Sequence, residues 1–170
     1  MDSAESDLRL TDRDAFSRVF DRFFAPLARY ARRITGDDAS ACDVVQDVFL
    51  KLWENRTSIT VDVSLKAMLY TMVRNRSLNA IRRSERIARN VTPEDVAPAI
   101  DGSESDLQRL LYRWIDDLPD RRREAFTLSR FHDLSHAEIA KIMGLSERTV
   151  DTHIQLALRS LRERMDRTQH

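Results

Sequence analysis

Glycine and proline are scarce in this chain. With 3 Gly and 4 Pro in 170 residues, it has too few turn formers for the repeated tight reversals of an all-β fold. No apolar run approaches the roughly 20 residues of a membrane-spanning helix. The opening MDSAESDLRL lacks the basic start and apolar centre of a secretory signal. A lone cysteine, Cys42, excludes an internal disulfide and a cysteine-built zinc site, and reads as a small buried or half-buried side chain. Glycine-rich phosphate loops and a nucleophile elbow are missing as well. His132 and His136 have the spacing of a metal pair, but Asp133, Leu134 and Ser135 put a helix boundary between them. With 42% hydrophobic and 33% charged residues, the chain reads as an all-α, cytoplasmic protein with no catalytic residue, metal or cofactor.

What is present is most specific near the C-terminus. SHAEIAKIMGLSERTVDTHIQLALRSLRERM, Ser135 to Met165, sets Ala140, Gly144 and Val150 at the spacing of a helix-turn-helix. Ser135 and Glu138 form a capping box, Gly144 supplies a left-handed residue, and Ser146 caps the next helix. At about 100° per residue, Val150, Ile154, Ala157, Leu158, Leu161 and Met165 share the buried face. Arg148, Thr152, Gln155 and Arg159 lie opposite, where they can reach phosphates or base edges in a major groove. A helical hairpin with a solvated polar face is the competing account.

Net charge is zero, from 28 basic and 28 acidic side chains, an unusual balance for a protein that holds DNA unaided. The charges are segregated. Arg74, Arg76, Arg82, Arg83, Arg86 and Arg89 form a basic run opposed only by Glu85, whereas Asn90 to Gln108 carries five acids and no base. Pro93, Pro98 and Gly102 make that acidic stretch a linker. The expected organisation is two small helical domains, 1–89 and 106–170, joined by a flexible acidic linker over 90–105.

In the first domain Thr11 precedes an acidic helical turn. Phe16, Val19, Phe20 and Phe23 recur as core until Pro26 ends that helix, and a second short helix reaches Gly36. The next helix, about Ala39 to Asn55, buries Val44, Val45, Val48 and Leu52. Its other face aligns Asp43, Asp47, Leu50 and Glu54 at i, i+4, i+7 and i+11. Like charges so spaced destabilise a helix by about 0.2–0.5 kcal/mol per pair, so something should offset them. An acidic stripe around an exposed Leu50, flanked by Gln46, Phe49 and Trp53, suits a protein-binding surface; a solvated acidic face is the alternative.

A helix beginning near Ser64 buries Leu65, Leu69, Met72, Val73 and Ala80. On its exposed side Asn75, Asn79, Arg82 and Arg86 repeat the same spacing, with Arg83 beside them. Amides pair with base edges, and arginines hold phosphates or stack on unpaired bases. A merely solvated basic helix would carry the same charges.

These segments together resemble a known family. DVVQDVFLKLWENR followed by SLKAMLYTMVRNRSLNAIRRSER resembles the second conserved region of bacterial sigma factors, and the stretch from Leu118 to Met165 resembles the fourth. With only these two regions and a short linker, about Ala15 to Met165 is similar to the compact extracytoplasmic-function group of the sigma-70 family. The resemblance implies a transcription initiation factor whose partners are core RNA polymerase, through the β′ clamp helices and β flap, and promoter DNA. It implies that Asp43, Gln46, Asp47, Leu50 and Trp53 dock on the clamp helices. The Asn75 to Arg86 stripe, with the loop Thr57 to Val63, would recognise and help open the minus 10 element. Arg148, Thr149, Thr152, His153 and Arg159 would read the minus 35 element as duplex.

One position departs from the family pattern: an acid commonly precedes the position of Asp43, and here Cys42 stands there, removing one clamp-facing charge. An anti-sigma factor is a common partner in this group, although no residue here identifies one. Two other accounts stay open on the residues alone. A stand-alone helix-turn-helix regulator would leave the Leu50 face and the Asn/Arg stripe without work, and a decoy that titrates an anti-sigma factor would keep the fold without binding polymerase.

Overall fold

The first helix explains itself from its ends inward. In a computed structural model that describes residues 12–60, 64–88 and 106–168, α1 runs Arg13–Thr35, capped by Asp12, whose carboxylate accepts from the Asp14 N–H at 3.4 Å. It closes on Gly36 at φ 88°, whose N–H donates to the Arg32 carbonyl at 2.8 Å. Only the left-handed region allows that turn, and glycine enters it without steric cost. Thr11 lies outside the described residues.

Pro26 does not end the helix: α1 is continuous, which corrects the expectation of two short helices. An interior proline costs about 3 kcal/mol. Ala15, Val19, Phe23, Leu27, Tyr30 and Ala31 form one unbroken buried face that passes Pro26 in register. Burying a Phe or Leu side chain is worth roughly 1.5–3 kcal/mol, so two or three of these outweigh the proline.

Asp37 then caps α2 (Asp38–Glu54), its Oδ1 accepting from the Ser40 N–H at 2.7 Å. That bond holds the Asp37 carboxyl below its ordinary range. Ala41, Val44, Val45, Val48, Phe49 and Leu52 are buried, and Cys42 is half-buried. Ser64 caps α3 (Leu65–Ala88) by accepting from the Ala67 N–H at 2.9 Å. Leu65, Leu69 and Val73 are buried as expected, whereas Met72 and Ala80 are only half-buried. The three helices pack pairwise around this core, with the Tyr30 and Tyr70 rings 5.2 Å apart. Burial pushes the Tyr70 hydroxyl well above its ordinary value.

The chain divides into two units, Met1–Pro98 and Ala99–His170; the expected linker, 90–105, lies outside the described residues. The second unit holds α4 (Asp106–Asp116), α5 (Asp120–Phe131), α6 (His136–Met143) and α7 (Glu147–Thr168); α4, α5 and α7 contribute to a cluster of Ile115, Leu118, Phe126, Ala157 and Leu161, and α6 packs on α5 and α7. Arg164 pairs with Asp117 at 2.7 Å, tying α7 to the turn after α4. Leu158 packs partly against the cluster, but Met165 is 46% exposed. The covered face of α7 stops at Leu161, so Met165 lies in solvent and not in the expected core.

Candidate protein and nucleic-acid interfaces

With Val44, Val45, Val48 and Leu52 turned inward, the geometry of α2 leaves Asp43, Gln46, Asp47, Leu50 and Glu54 exposed. Leu50 is 56% exposed, an apolar side chain set among carboxylates. It borders a groove of about 590 Å³ lined by Arg13, Phe16, Phe20, Gln46, Phe49, Leu50 and Trp53. Phe49, expected on the contact surface, is 3% exposed and therefore belongs to the core. Its ring meets Phe20 at 4.9 Å and Phe16 at 6.1 Å, so it supports the groove from beneath.

Two groove residues, Phe16 and Phe20, were legible only as core. Their signal was their offset: at i and i+4 they lie beside the stripe of Ala15, Val19 and Phe23 and not on it, and both are half-buried. Asp47 accepts from Arg76 of α3 at 2.9 Å. This cation offsets the like charges of the acidic stripe. Trp53 is half-buried, with Phe16 edge-on at 4.9 Å and the Arg56 guanidinium 3.9 Å from the ring centre.

On α3, Asn75, Asn79, Arg82, Arg83 and Arg86 are all exposed. Four of them, Asn79, Arg82, Arg83 and Arg86, line an open groove of about 600 Å³ together with Glu85. Asn75 shares their helix face but not that lining. In the loop after α2, Thr57 and Ser58 form an exposed turn, with the Ser58 N–H donating to Asn55; residues 61–63 lie outside the described residues.

The helix-turn-helix is built from its caps. Ser135 and Glu138 exchange bonds of 3.2 and 2.9 Å, and Gly144 adopts φ 65°, ψ 41°. The Ser146 hydroxyl accepts from the Thr149 N–H at 3.1 Å. Ile139 and Ile142 of α6 and Val150 and Ile154 of α7 are buried, and the two helices pack together. Outward, Arg148, Thr152, Gln155 and Arg159 are exposed on one face. Thr152 donates to the Arg148 carbonyl at 2.9 Å, and Gln155 donates to Asp151 at 2.7 Å. Two expected readers face inward in part. Thr149 is half-buried against the Ser146 cap, and His153 is half-buried with its Nδ1 enclosed and unbonded. His132 is buried at the end of α5, while His136 Nδ1 lies 3.9 Å from Asp151.

Residues 19–87 match the family described as sigma-70 region 2, and residues 108–161 match sigma-70, region 4. The chain is 36% identical over 154 residues to the ECF RNA polymerase sigma factor SigL of Mycobacterium tuberculosis, covering 85% of each chain. It belongs to the extracytoplasmic-function sigma factors of the sigma-70 family. The ECF sigma factor RpoE of Cereibacter sphaeroides is 30% identical over 164 residues, covering 91% of this chain and 88% of that one. Among solved structures, RpoE of Bartonella quintana, in complex with the anti-sigma factor NepR, superposes with a TM-score of 0.72 at 26% identity. That alignment covers 89% of this chain and 96% of the other. CnrH, in complex with the cytosolic domain of CnrY, shares the fold with a TM-score of 0.66 at 22% identity, over 95% and 94% of the two chains.

This sigma factor is thus a transcription initiation factor that directs promoter recognition. Sigma factors in general are not enzymes. The region 2 match runs from Val19 in α1 to the end of α3, and the region 4 match ends at Leu161, where the apolar face of α7 ceases to be covered. No helix of the described residues is long and apolar enough to cross a membrane.

Proposed function

We propose that this ECF sigma factor divides its work among three helix faces. The outer face of α2, with Asp43, Gln46, Asp47, Leu50, Trp53 and Glu54, docks on the clamp helices of the polymerase β′ subunit; Phe49 shapes that face from below. The α3 stripe of Asn75, Asn79, Arg82, Arg83 and Arg86 takes up the minus 10 element as its strands separate. The α7 face of Arg148, Thr152, Gln155 and Arg159, with the exposed edges of Thr149 and His153, reads the minus 35 duplex while its unit contacts the β flap. The factor works in the cytoplasm with the domain limits 1–89 and 106–170, and it needs no chemistry of its own because the polymerase forms the bonds. An anti-sigma factor is a fitting regulator, as the complex of RpoE with NepR illustrates for that protein.

One observation carries the docking assignment. A leucine 56% exposed in the middle of an acidic face, beside an aromatic groove, has the apolar centre and polar rim of a contact surface. Run-off transcription with purified core polymerase tests the whole reading. The factor is expected to direct initiation from a promoter that core alone ignores. Core binding without promoter selection would refute the DNA assignments, and no core binding at all would favour a decoy.

A further inference from the structure

Trp53 stands at the last turn of α2, where helices leave carbonyls without internal partners. No glycine closes this end. Instead Asn55 Nδ2 donates to the Lys51 carbonyl at 2.9 Å, and Arg56 Nη1 donates to the carbonyl of Trp53 at 2.7 Å. The same guanidinium lies over the Trp53 indole, 3.9 Å from the ring centre, while Phe16 meets the ring at 4.9 Å and 66°. One arginine therefore grips both the backbone and the side chain of one residue. The grip has a cost, because Arg56 Nε is buried with no hydrogen-bond partner. A solvated arginine at a helix end would avoid that burial, so the ring contact and carbonyl bond must offset it.

We propose that Arg56 is a positioning residue for polymerase docking: it fixes the Trp53 indole against Phe16 so that the aromatic wall beside Leu50 is formed before the polymerase arrives. The inference rests on the α2 docking reading and deepens it. A tryptophan already held loses less side-chain freedom on binding. Releasing it should weaken core affinity about three- to tenfold, the range that immobilising one large side chain represents.

The test uses the full chain. Trp53 and Trp114 are its 2 tryptophans, so Trp114→Phe leaves Trp53 as the sole reporter for fluorescence. Arg56→Met, which keeps the apolar stem without the charge, should raise iodide quenching of Trp53 and shift its emission to the red. It should also lower core polymerase affinity about three- to tenfold, and Arg56→Lys should recover part of both. In a Trp53→Ala background Arg56→Met should have no further effect on affinity. If Trp53→Ala weakens core binding but Arg56→Met does not, or if the two effects simply add, the inference is overturned while the docking reading stands. If Leu50→Arg leaves core binding intact, the docking reading fails and takes the inference with it.

Discussion

Arg76 Nη1 lies 2.9 Å from Asp47 Oδ2, an ion pair that joins α3 to the outer face of α2. The two side chains are 28% and 59% exposed, so water and salt screen the pair, which should contribute no more than about 1 kcal/mol. Its importance is positional. Asp47 belongs to the proposed docking face, and Arg76 sits three residues before Asn79 on the helix proposed to meet the minus 10 strands.

A double-mutant cycle on Arg76→Ala and Asp47→Ala, read by urea unfolding, should therefore give a coupling energy below about 1 kcal/mol that shrinks as salt is added. A coupling above about 2 kcal/mol would mean that the pair is shielded from solvent far more than the structure indicates.

Leu50→Arg is the cleanest probe of docking. The side chain is 56% exposed, so thermal unfolding should change little, whereas a cation at the apolar centre should abolish co-elution with core polymerase. Asp47→Arg would also press a second cation against Arg76, confusing docking with local repulsion. Retained co-elution of the Leu50→Arg protein would refute the docking face.

Period and caps made much of this protein legible. The Ser135 box, the left-handed Gly144, the Ser146 cap and the exposed faces of α2, α3 and α7 all follow from local rules that the fold does not override. Pro26 and Met165 show where such rules stop. Whether a proline is tolerated, or an apolar residue covered, depends on what packs there, and that is a tertiary quantity. Phe49 is misplaced for a related reason: helical spacing sets a residue on a face within tens of degrees, and at the edge of a face that is the difference between exposed and buried. The Asp47 and Arg76 partnership spans 29 positions, beyond the reach of any local pattern.

The DNA faces should separate in experiment. Arg148→Ala with Arg159→Ala should weaken binding of polymerase holoenzyme to upstream duplex. Asn79→Ala with Arg82→Ala should chiefly reduce permanganate reactivity of thymines in the opened region, since single strands are held by stacking and a basic groove. If both pairs impaired only upstream binding, the division of labour between α3 and α7 would be wrong.

Acid should remove the cap of α2. The Ser40 N–H holds the Asp37 carboxyl below its ordinary value, so the folded state favours the ionised form. Its contribution is full above the unfolded value of about 4 and is lost as pH falls through the lower folded value. Asp37→Ala should cost about 1 kcal/mol near neutral pH, and the melting curves of variant and parent should converge toward about pH 2. An offset unchanged across that range would show that the carboxylate is not the source of the cap's stability.

On the proposed division of work, promoter binding needs both DNA faces held together by the polymerase. Affinity for duplex DNA depends largely on cations meeting phosphates unopposed, and this chain balances 28 basic with 28 acidic side chains. Docking would cover Asp43, Asp47 and Glu54 and turn two weak contacts into one bivalent site. Fluorescence anisotropy of a labelled promoter fragment, near physiological salt, measures this directly with and without core polymerase. Weak binding by the free protein and tight, sequence-specific binding by the holoenzyme are expected. Tight, sequence-specific binding by the isolated chain would contradict the account and favour a regulator that acts alone.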